Sequence, residues 1–347
     1  MSQPTVIWEI TRRCELECRH CAKRADGRRA PSDELSTYEA YKTVDQIVSL
    51  KPARLIISGG DPLMRGDLLQ LVDYAQRRGV APAVVLSPTS NLTAESIAML
   101  GRNGVARLIF SIDGSTPQSH DSRSGVSGAF AATVKAIGWA GQASIPIEIN
   151  SMVTLTTDLA AIADLISDFD VKAWNVHFLV SAGPSRKLEI ITADEAERAF
   201  EILATIQERK PFRIRTVEAP HYRRFLLQRY QSLWPDFATD FSEEIAECAI
   251  DDVVFIGANG AVRPSEFLPI AAGNLRFRSL FGIVRASDLF VAYRDRSNLT
   301  GKCAQCEFRK ACGGSRARAW ATTGFLFSSD PLCNYHPRPE TRQEAAS

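Results

Sequence analysis

No apolar run in this 347-residue chain approaches the length of a membrane span, so no segment of it reads as a transmembrane helix. The opening residues, MSQPTVIWEI, lack the apolar stretch of a secretory signal, and the expected compartment is cytoplasmic. Neither sign of charge is in excess. With 41 basic against 40 acidic residues the net charge is +1, which offers no field for nucleic acid or an anionic membrane. No internal repeat stands out. What is present is a 45% hydrophobic fraction, enough for a full core. The length suits one large α/β domain with an appendage, or two ordinary domains. Eight cysteines remain to be explained, and where thiols stay reduced, clustered cysteines bind metal more often than each other.

Short apolar runs rich in β-branched residues alternate with helical stretches. TVIWEI (5–10), RLIIS (54–58), PAVVLS (82–87), RLIFSI (107–112), IPIEIN (145–150) and WNVHFLV (174–180) read as six strands. This alternation predicts a parallel sheet with right-handed crossovers, and six units predict a barrel short of full closure. Polar features follow strand after strand: a cysteine loop, SGGDP (58–62), SPTSN (87–91), SIDG (111–114) and Asn150. In parallel α/β folds ligands bind at this C-terminal edge, so one mouth is expected there. Beyond about residue 190 the pattern changes to a helix near 192–209 and then a turn-rich stretch, with a hairpin expected around Asn259–Gly260.

Cys14, Cys18 and Cys21 have three and then two residues between them. An odd cluster is not a disulfide framework. Three thiolates leave a four-iron cluster with one iron free of protein ligands, and a metal with an open position can activate a small molecule. The alternative is a three-cysteine zinc site completed by His20, which directly precedes Cys21, a poor spacing for closing a tetrahedron. Cys303, Cys306, Cys312 and Cys333, with two, five and twenty intervening residues, can enclose a 4Fe–4S cluster or a structural zinc. Cys248 is left over. It reads as the remnant of a lost site, as an inert core thiol, or as a hydrogen-atom donor to a substrate radical.

The first cysteine loop, with GGDP after the second strand, resembles the radical S-adenosylmethionine (radical SAM) enzymes. The resemblance implies that Cys14, Cys18 and Cys21 carry a 4Fe–4S cluster whose open iron chelates S-adenosylmethionine. Reductive cleavage of that cofactor then yields a 5′-deoxyadenosyl radical that abstracts hydrogen from substrate. It also implies a partial (β/α)6 barrel, an α/β fold. Gly59, Gly60 and Asp61 would meet the methionine amino group, with Asp61 standing where Glu is commoner. Ser90, Asn91, Ser111, Asp113 and Asn150 would contact the cofactor's methionine or ribose portions. Turn formation and capping are their competing roles. Arg123 would reach the methionine carboxylate, although the family's arginine position holds Ser124 here.

The second cysteine spacing resembles the SPASM/twitch extension of the same superfamily, which implies that Cys303, Cys306, Cys312 and Cys333 hold an auxiliary 4Fe–4S cluster. Ser265 and Ser315 stand where further cysteines are usual, so one auxiliary cluster is expected rather than two. The division expected is a radical SAM partial barrel over 1–190, a helical bridging segment over 191–245, a SPASM/twitch-like domain over 246–337 and a disordered tail over 338–347.

EAPHYRRF (218–225) and RPSEFLP (263–269) supply Arg223, Arg224, Arg263 and His221 as candidate clamps for substrate carboxylates, with a solvated basic face as the plain alternative. These segments and the cysteine spacing look most like the haem-biosynthesis branch, which implies a small-molecule substrate bearing tetrapyrrole propionates and an electron donor such as flavodoxin or ferredoxin. The competing class dehydrogenates or epimerises a sugar or aminocyclitol in antibiotic biosynthesis, with Cys248 as hydrogen donor. Peptide modification is a weaker reading, because the first strand starts at residue 5 and leaves no room for an N-terminal peptide-recognition domain.

Overall fold

The computed structural model describes residues 3–18, 31–180, 190–233, 242–250 and 252–337. Strands form where the six apolar runs lie: β1 (Thr5–Thr11), β2 (Arg54–Gly59), β3 (Ala83–Val85), β4 (Arg107–Ser111), β5 (Ile147–Val153) and β6 (Val171–Phe178). Each is parallel to the next. Five more strands extend the same sheet: β7 (Arg213–Val217), β8 (Ala249–Ile250), β9 (Val253–Ile256), β10 (Ala261–Arg263) and β11 (Gly273–Asn274). The order across it is β11-β10-β9-β1-β2-β3-β4-β5-β6-β7-β8. The β9–β10 hairpin forms as expected and turns at Gly260, whose φ of 81° is left-handed. β7 falls inside 191–245, where the sequence reading has a helical bridge. Its residues, RIRTV, alternate polar and apolar, whereas the other parallel strands are nearly continuous apolar runs.

The connection from β8 to β9 closes the architecture. Ile250 pairs with Val217 at the end of β7, and Val253 pairs with Thr5 at the start of β1. Three residues of chain span at most about 11 Å, so the sheet curls until its two edges approach. This is the partial barrel.

Helices Thr37–Ser49, Leu68–Arg77, Ala94–Arg102, Ala129–Gln142 and Leu159–Ser167 fill the crossovers. Ser36 and Thr93 start two of them with capping boxes. Val6, Trp8 and Ile10 of β1 point outward into the helix-covered core and are fully buried. A further helix, Pro117–Ser124, forms where the sequence reading leaves a loop. Thr116 caps it, Pro117 opens it and Gly125 closes it at φ 74°, but it has no apolar stripe to announce it. Among the described residues no helix is long and apolar enough to cross a membrane.

The barrel interior is layered. Ile7, Ile56, Val85 and Ile109 form an apolar layer under the C-terminal mouth. Toward the opposite end, Glu148 of β5 is wholly buried and accepts from Arg54 (2.7 Å), Arg107 (2.8 Å), Arg215 (3.3 Å) and Asn175 Nδ2 (3.1 Å). Burial alone would raise its pKa, but the three guanidinium groups overcome that and hold it at about 2.

Candidate active site

A cavity of about 290 Å³ lies over the apolar layer at the C-terminal ends of the strands. Of the residues singled out from the sequence, Cys14, Cys18, Gly59, Gly60, Ser111, Asp113 and Asn150 line it. Cys21 lies outside the described residues. The glycine pair sits directly against the start of the cysteine loop. Gly60 N–H donates to Thr11 O (2.9 Å) and Asp61 N–H to Arg13 O (2.7 Å). A Cβ on Gly59 would stand 2.5 Å from Thr11 O, and one on Gly60 2.3 Å from Arg13 O. Only glycine permits that approach. Leu16 N–H points at Cys14 Sγ (3.4 Å), a donor of the kind that tunes cluster thiolates. The thiols of Cys14 and Cys18 share this lining with the hydroxyl of Ser111, the carboxylate of Asp113 and the amide of Asn150, a set of groups that fits an iron–sulfur cluster with S-adenosylmethionine beside it.

Four of the candidate cofactor residues are not brought to this wall. Asp61 is fully buried beneath it and accepts from Thr89 Oγ1 (2.6 Å), Asn91 Nδ2 (3.2 Å) and Leu63 N (3.0 Å). Burial outweighs these bonds and raises its pKa. It therefore ties the second strand end to the third. Ser90 is exposed, and its backbone N–H and hydroxyl both donate to Glu15 in the cysteine loop. Asn91 is exposed as well, committed to Asp61. Arg123 spends its guanidinium on the carbonyls of Asp113 and Thr156, so it fastens two strand ends together. Ser87 and Pro88, one turn earlier than Ser90, line the cavity instead.

Sequence reasoning gave no role to Glu218, although it opens the EAPHYRRF segment singled out for substrate contacts, nor to Asn175 and His177, and it left His120 as an ordinary loop residue; all four line the cavity. Asp113 N–H donates to His120 Nδ1 (3.1 Å), which leaves the ring proton on Nε2. The arginines proposed as carboxylate clamps face elsewhere, and this corrects that expectation. Arg223 donates to the carbonyls of Ile245 (3.3 Å), Ala249 (2.7 Å) and Ala311 (3.4 Å), which need buried donors. Arg224 pairs with Glu197 and Gln228 and borders the second cysteine cluster. Arg263 on β10 is not among the lining residues. His221 is fully buried between Phe178 and Phe200, and burial drops its pKa to about 3, so it stays neutral. Cys248 is likewise in the core and not on the cavity wall; its thiol donates to Ile245 O (3.0 Å).

Cys303, Cys306, Cys312 and Cys333 surround a second, smaller cavity with Arg224, Lys302 and Arg309. Among the described residues no three His, Cys, Asp or Glu side chains converge tightly enough to hold a single metal ion. The four thiols line one common space. Gly313 and Gly314, both left-handed at φ 72° and 67°, fold the chain back behind Cys312, whose Sγ receives Gly314 N–H at 3.3 Å. Burial raises the Cys333 thiol, while Arg224 and Lys302 pull it back toward the thiolate.

Residues 8–169 match the Radical SAM superfamily. The chain is also 34% identical to the AdoMet-dependent heme synthase of Nitratidesulfovibrio vulgaris, across 97% of its own length and 93% of that protein. The chain belongs to the radical SAM superfamily. A second AdoMet-dependent heme synthase, from Methanosarcina barkeri, is 31% identical over 96% of both chains. The solved structure of Streptococcus suis SuiB bound to precursor peptide SuiA superposes with a TM-score of 0.74 at 14% identity, covering 96% of this chain and 77% of that one. At that identity the shared property is the fold. As a radical SAM enzyme the chain works with S-adenosylmethionine and a 4Fe–4S cluster.

Proposed function

We propose that this radical SAM enzyme converts a propionate side chain of a tetrapyrrole, as in the last steps of haem synthesis. The observation that carries the reading is the likeness, over nearly the full length of both chains, to two AdoMet-dependent heme synthases. The four-thiol cavity supports a second 4Fe–4S cluster within residues 246–337, held by Cys303, Cys306, Cys312 and Cys333. When bound, S-adenosylmethionine and the clusters supply a radical for hydrogen abstraction and an acceptor for the electron released as the carboxylate leaves as carbon dioxide. The chain's own residues do the positioning. The glycine pair holds the start of the cysteine loop against the end of β2, and Ser111, Asp113 and Asn150 line the same cavity. We place the reaction in the cytoplasm, with a small electron carrier such as flavodoxin or ferredoxin as donor.

The test is anaerobic reconstitution followed by incubation with iron-coproporphyrin, S-adenosylmethionine and a reductant. Iron and sulfide analysis should give about eight irons per chain, falling to about four when Cys14, Cys18 and Cys21 are replaced by Ala. Mass spectrometry should show the porphyrin losing carboxyl groups as 5′-deoxyadenosine accumulates. Unchanged porphyrin beside active cofactor cleavage would reject the tetrapyrrole substrate while keeping the radical chemistry.

A further inference from the structure

Glu218 follows the last residue of β7 and takes a φ of 56°, a conformation that costs a non-glycine residue about 1–2 kcal/mol. The fold over-determines that strain. Arg318 donates to Glu218 O (2.8 Å) and to the carbonyls of Phe178 (3.0 Å) and Leu179 (3.2 Å), while pairing with the buried Asp330 (3.1 Å). The backbone is thereby held where Glu218 lines the cavity at the strand ends, as do Ile250, Val253 and Ser265.

The carboxyl group is met by two serines from distant segments. Ser265 Oγ donates to Oε1 (2.7 Å) and Ser315 Oγ donates to Oε2. Each hydroxyl is itself aimed by a backbone N–H: Phe267 N donates to Ser265 Oγ (3.2 Å) and Arg318 N to Ser315 Oγ (3.0 Å). A hydroxyl carries one proton, so both serines are committed as donors to the carboxyl. Each carboxyl oxygen keeps one further hydrogen-bonding position beyond its serine, and Glu218 lines the cavity. Two other lining residues also have internal partners: Asp113 Oδ1 accepts from Met152 N (2.8 Å), and Asn150 Oδ1 from Asn175 (3.0 Å).

We propose that Glu218 is a substrate-binding residue whose carboxyl hydrogen-bonds a carboxylate oxygen of the molecule that fills this cavity. The ligand class rests on the tetrapyrrole propionate reading. Burial favours the protonated form of Glu218, against the opposing pull of the two serines and Arg318. A protonated carboxyl donates to a substrate carboxylate where an ionised one would repel it. The chain of donors, backbone N–H to serine to Glu218 to substrate, is polarised in one direction, which strengthens its final bond.

The experiment uses the reconstituted enzyme with Glu218→Ala and Glu218→Gln. Titration of iron-coproporphyrin is followed by its visible absorption, and infrared difference spectra are recorded without substrate. Glu218→Ala should weaken porphyrin binding about tenfold or more, while Glu218→Gln, whose amide can donate from the same position once the facing serine hydroxyl turns to accept from it, stays within about threefold of wild type. The wild-type spectrum should contain a protonated carboxyl band at neutral pH that Glu218→Gln lacks. Equal binding by wild type and Glu218→Ala overturns the proposal, and so does an infrared spectrum without the band. If Glu218→Ala fails to fold, Glu218→Gln decides: loss of binding in a folded, iron-replete Gln variant also overturns it. A wild type that binds no porphyrin rejects the tetrapyrrole reading and the carboxylate named here, which the infrared result tells apart from a misjudged Glu218.

Discussion

A methyl group on Gly60 would sit 2.3 Å from the carbonyl oxygen of Arg13, inside the distance at which packed atoms repel. Gly60→Ala therefore has to push the cysteine loop off β2. The expected outcome is loss of about four irons per chain with the C-terminal cysteines still loaded, measured by iron analysis and EPR on the same sample. Cys248 gives the opposite expectation. Its thiol sits in the core with Ile245 O as acceptor, so Cys248→Ala should cost about 1 kcal/mol of stability and leave turnover within about twofold. Turnover that collapsed while 5′-deoxyadenosine still formed would bring back the hydrogen-donor reading and, with it, the epimerase alternative. Thiol chemistry was legible in the sequence because cysteine spacing is local. The direction in which Cys248 points was not, because that depends on how β8 seats against β7.

At the scale of elements, the inner ends of the strands are bound together by one carboxylate. Glu148 of β5 holds Arg54 of β2, Arg107 of β4 and Arg215 of β7, three strands that reach it from both sides. Its folded pKa of about 2 lies below the ordinary 4.5, so the unfolded chain takes up the proton more readily. The stability Glu148 provides is thus complete above about pH 4.5 and is lost as the pH falls toward 2. The depression corresponds to about 3 kcal/mol. Glu148→Gln should remove about that much, since three buried or half-buried cations lose their counter-charge, and should flatten the acid limb of stability. Urea unfolding from neutral pH down to pH 3 checks both. β7 itself marks the limit of pattern reading: RIRTV is too polar to announce a parallel strand, yet it pairs with β6, buries Ile214 and Thr216 and sets Arg215 on Glu148.

Over the whole molecule, the C-terminal cysteine unit is fastened across the barrel mouth. Arg318, in the helix Arg316–Thr323, bonds the ends of β6 and β7 as well as Asp330 beside the last cysteine segment. Cys303→Ser with Cys312→Ser should therefore lose about four irons, lower the melting temperature and uncouple the two halves of the reaction. 5′-Deoxyadenosine should still form, with porphyrin product reduced at least in proportion to the missing cluster, as a single-turnover assay would show. Product at the wild-type rate would remove the auxiliary cluster from the electron route.

The sequence by itself determined the class of chemistry and the parallel half of the fold. The spacing of cysteines and the GGDP motif are carried by neighbouring residues, and buried parallel strands are written as apolar runs that need no partner to be recognised. Only the tertiary structure decided which polar residues share the cavity. Ser111, Asp113 and Asn150 face it, whereas Ser90, Asn91 and Arg123 are bonded to the loops and strand ends around it. Arg223 and Arg224 were drawn away to carbonyls and carboxylates that burial would otherwise leave unsatisfied. Glu218 opens the EAPHYRRF segment singled out for substrate contacts, but the arginines and histidine of that segment drew the assignment and nothing local marked the carboxyl. Its two serine partners lie 47 and 97 residues along the chain, and only the curl of the sheet, bringing the end of β7 beside the β8–β9 link and the C-terminal cysteine unit, puts the three in contact.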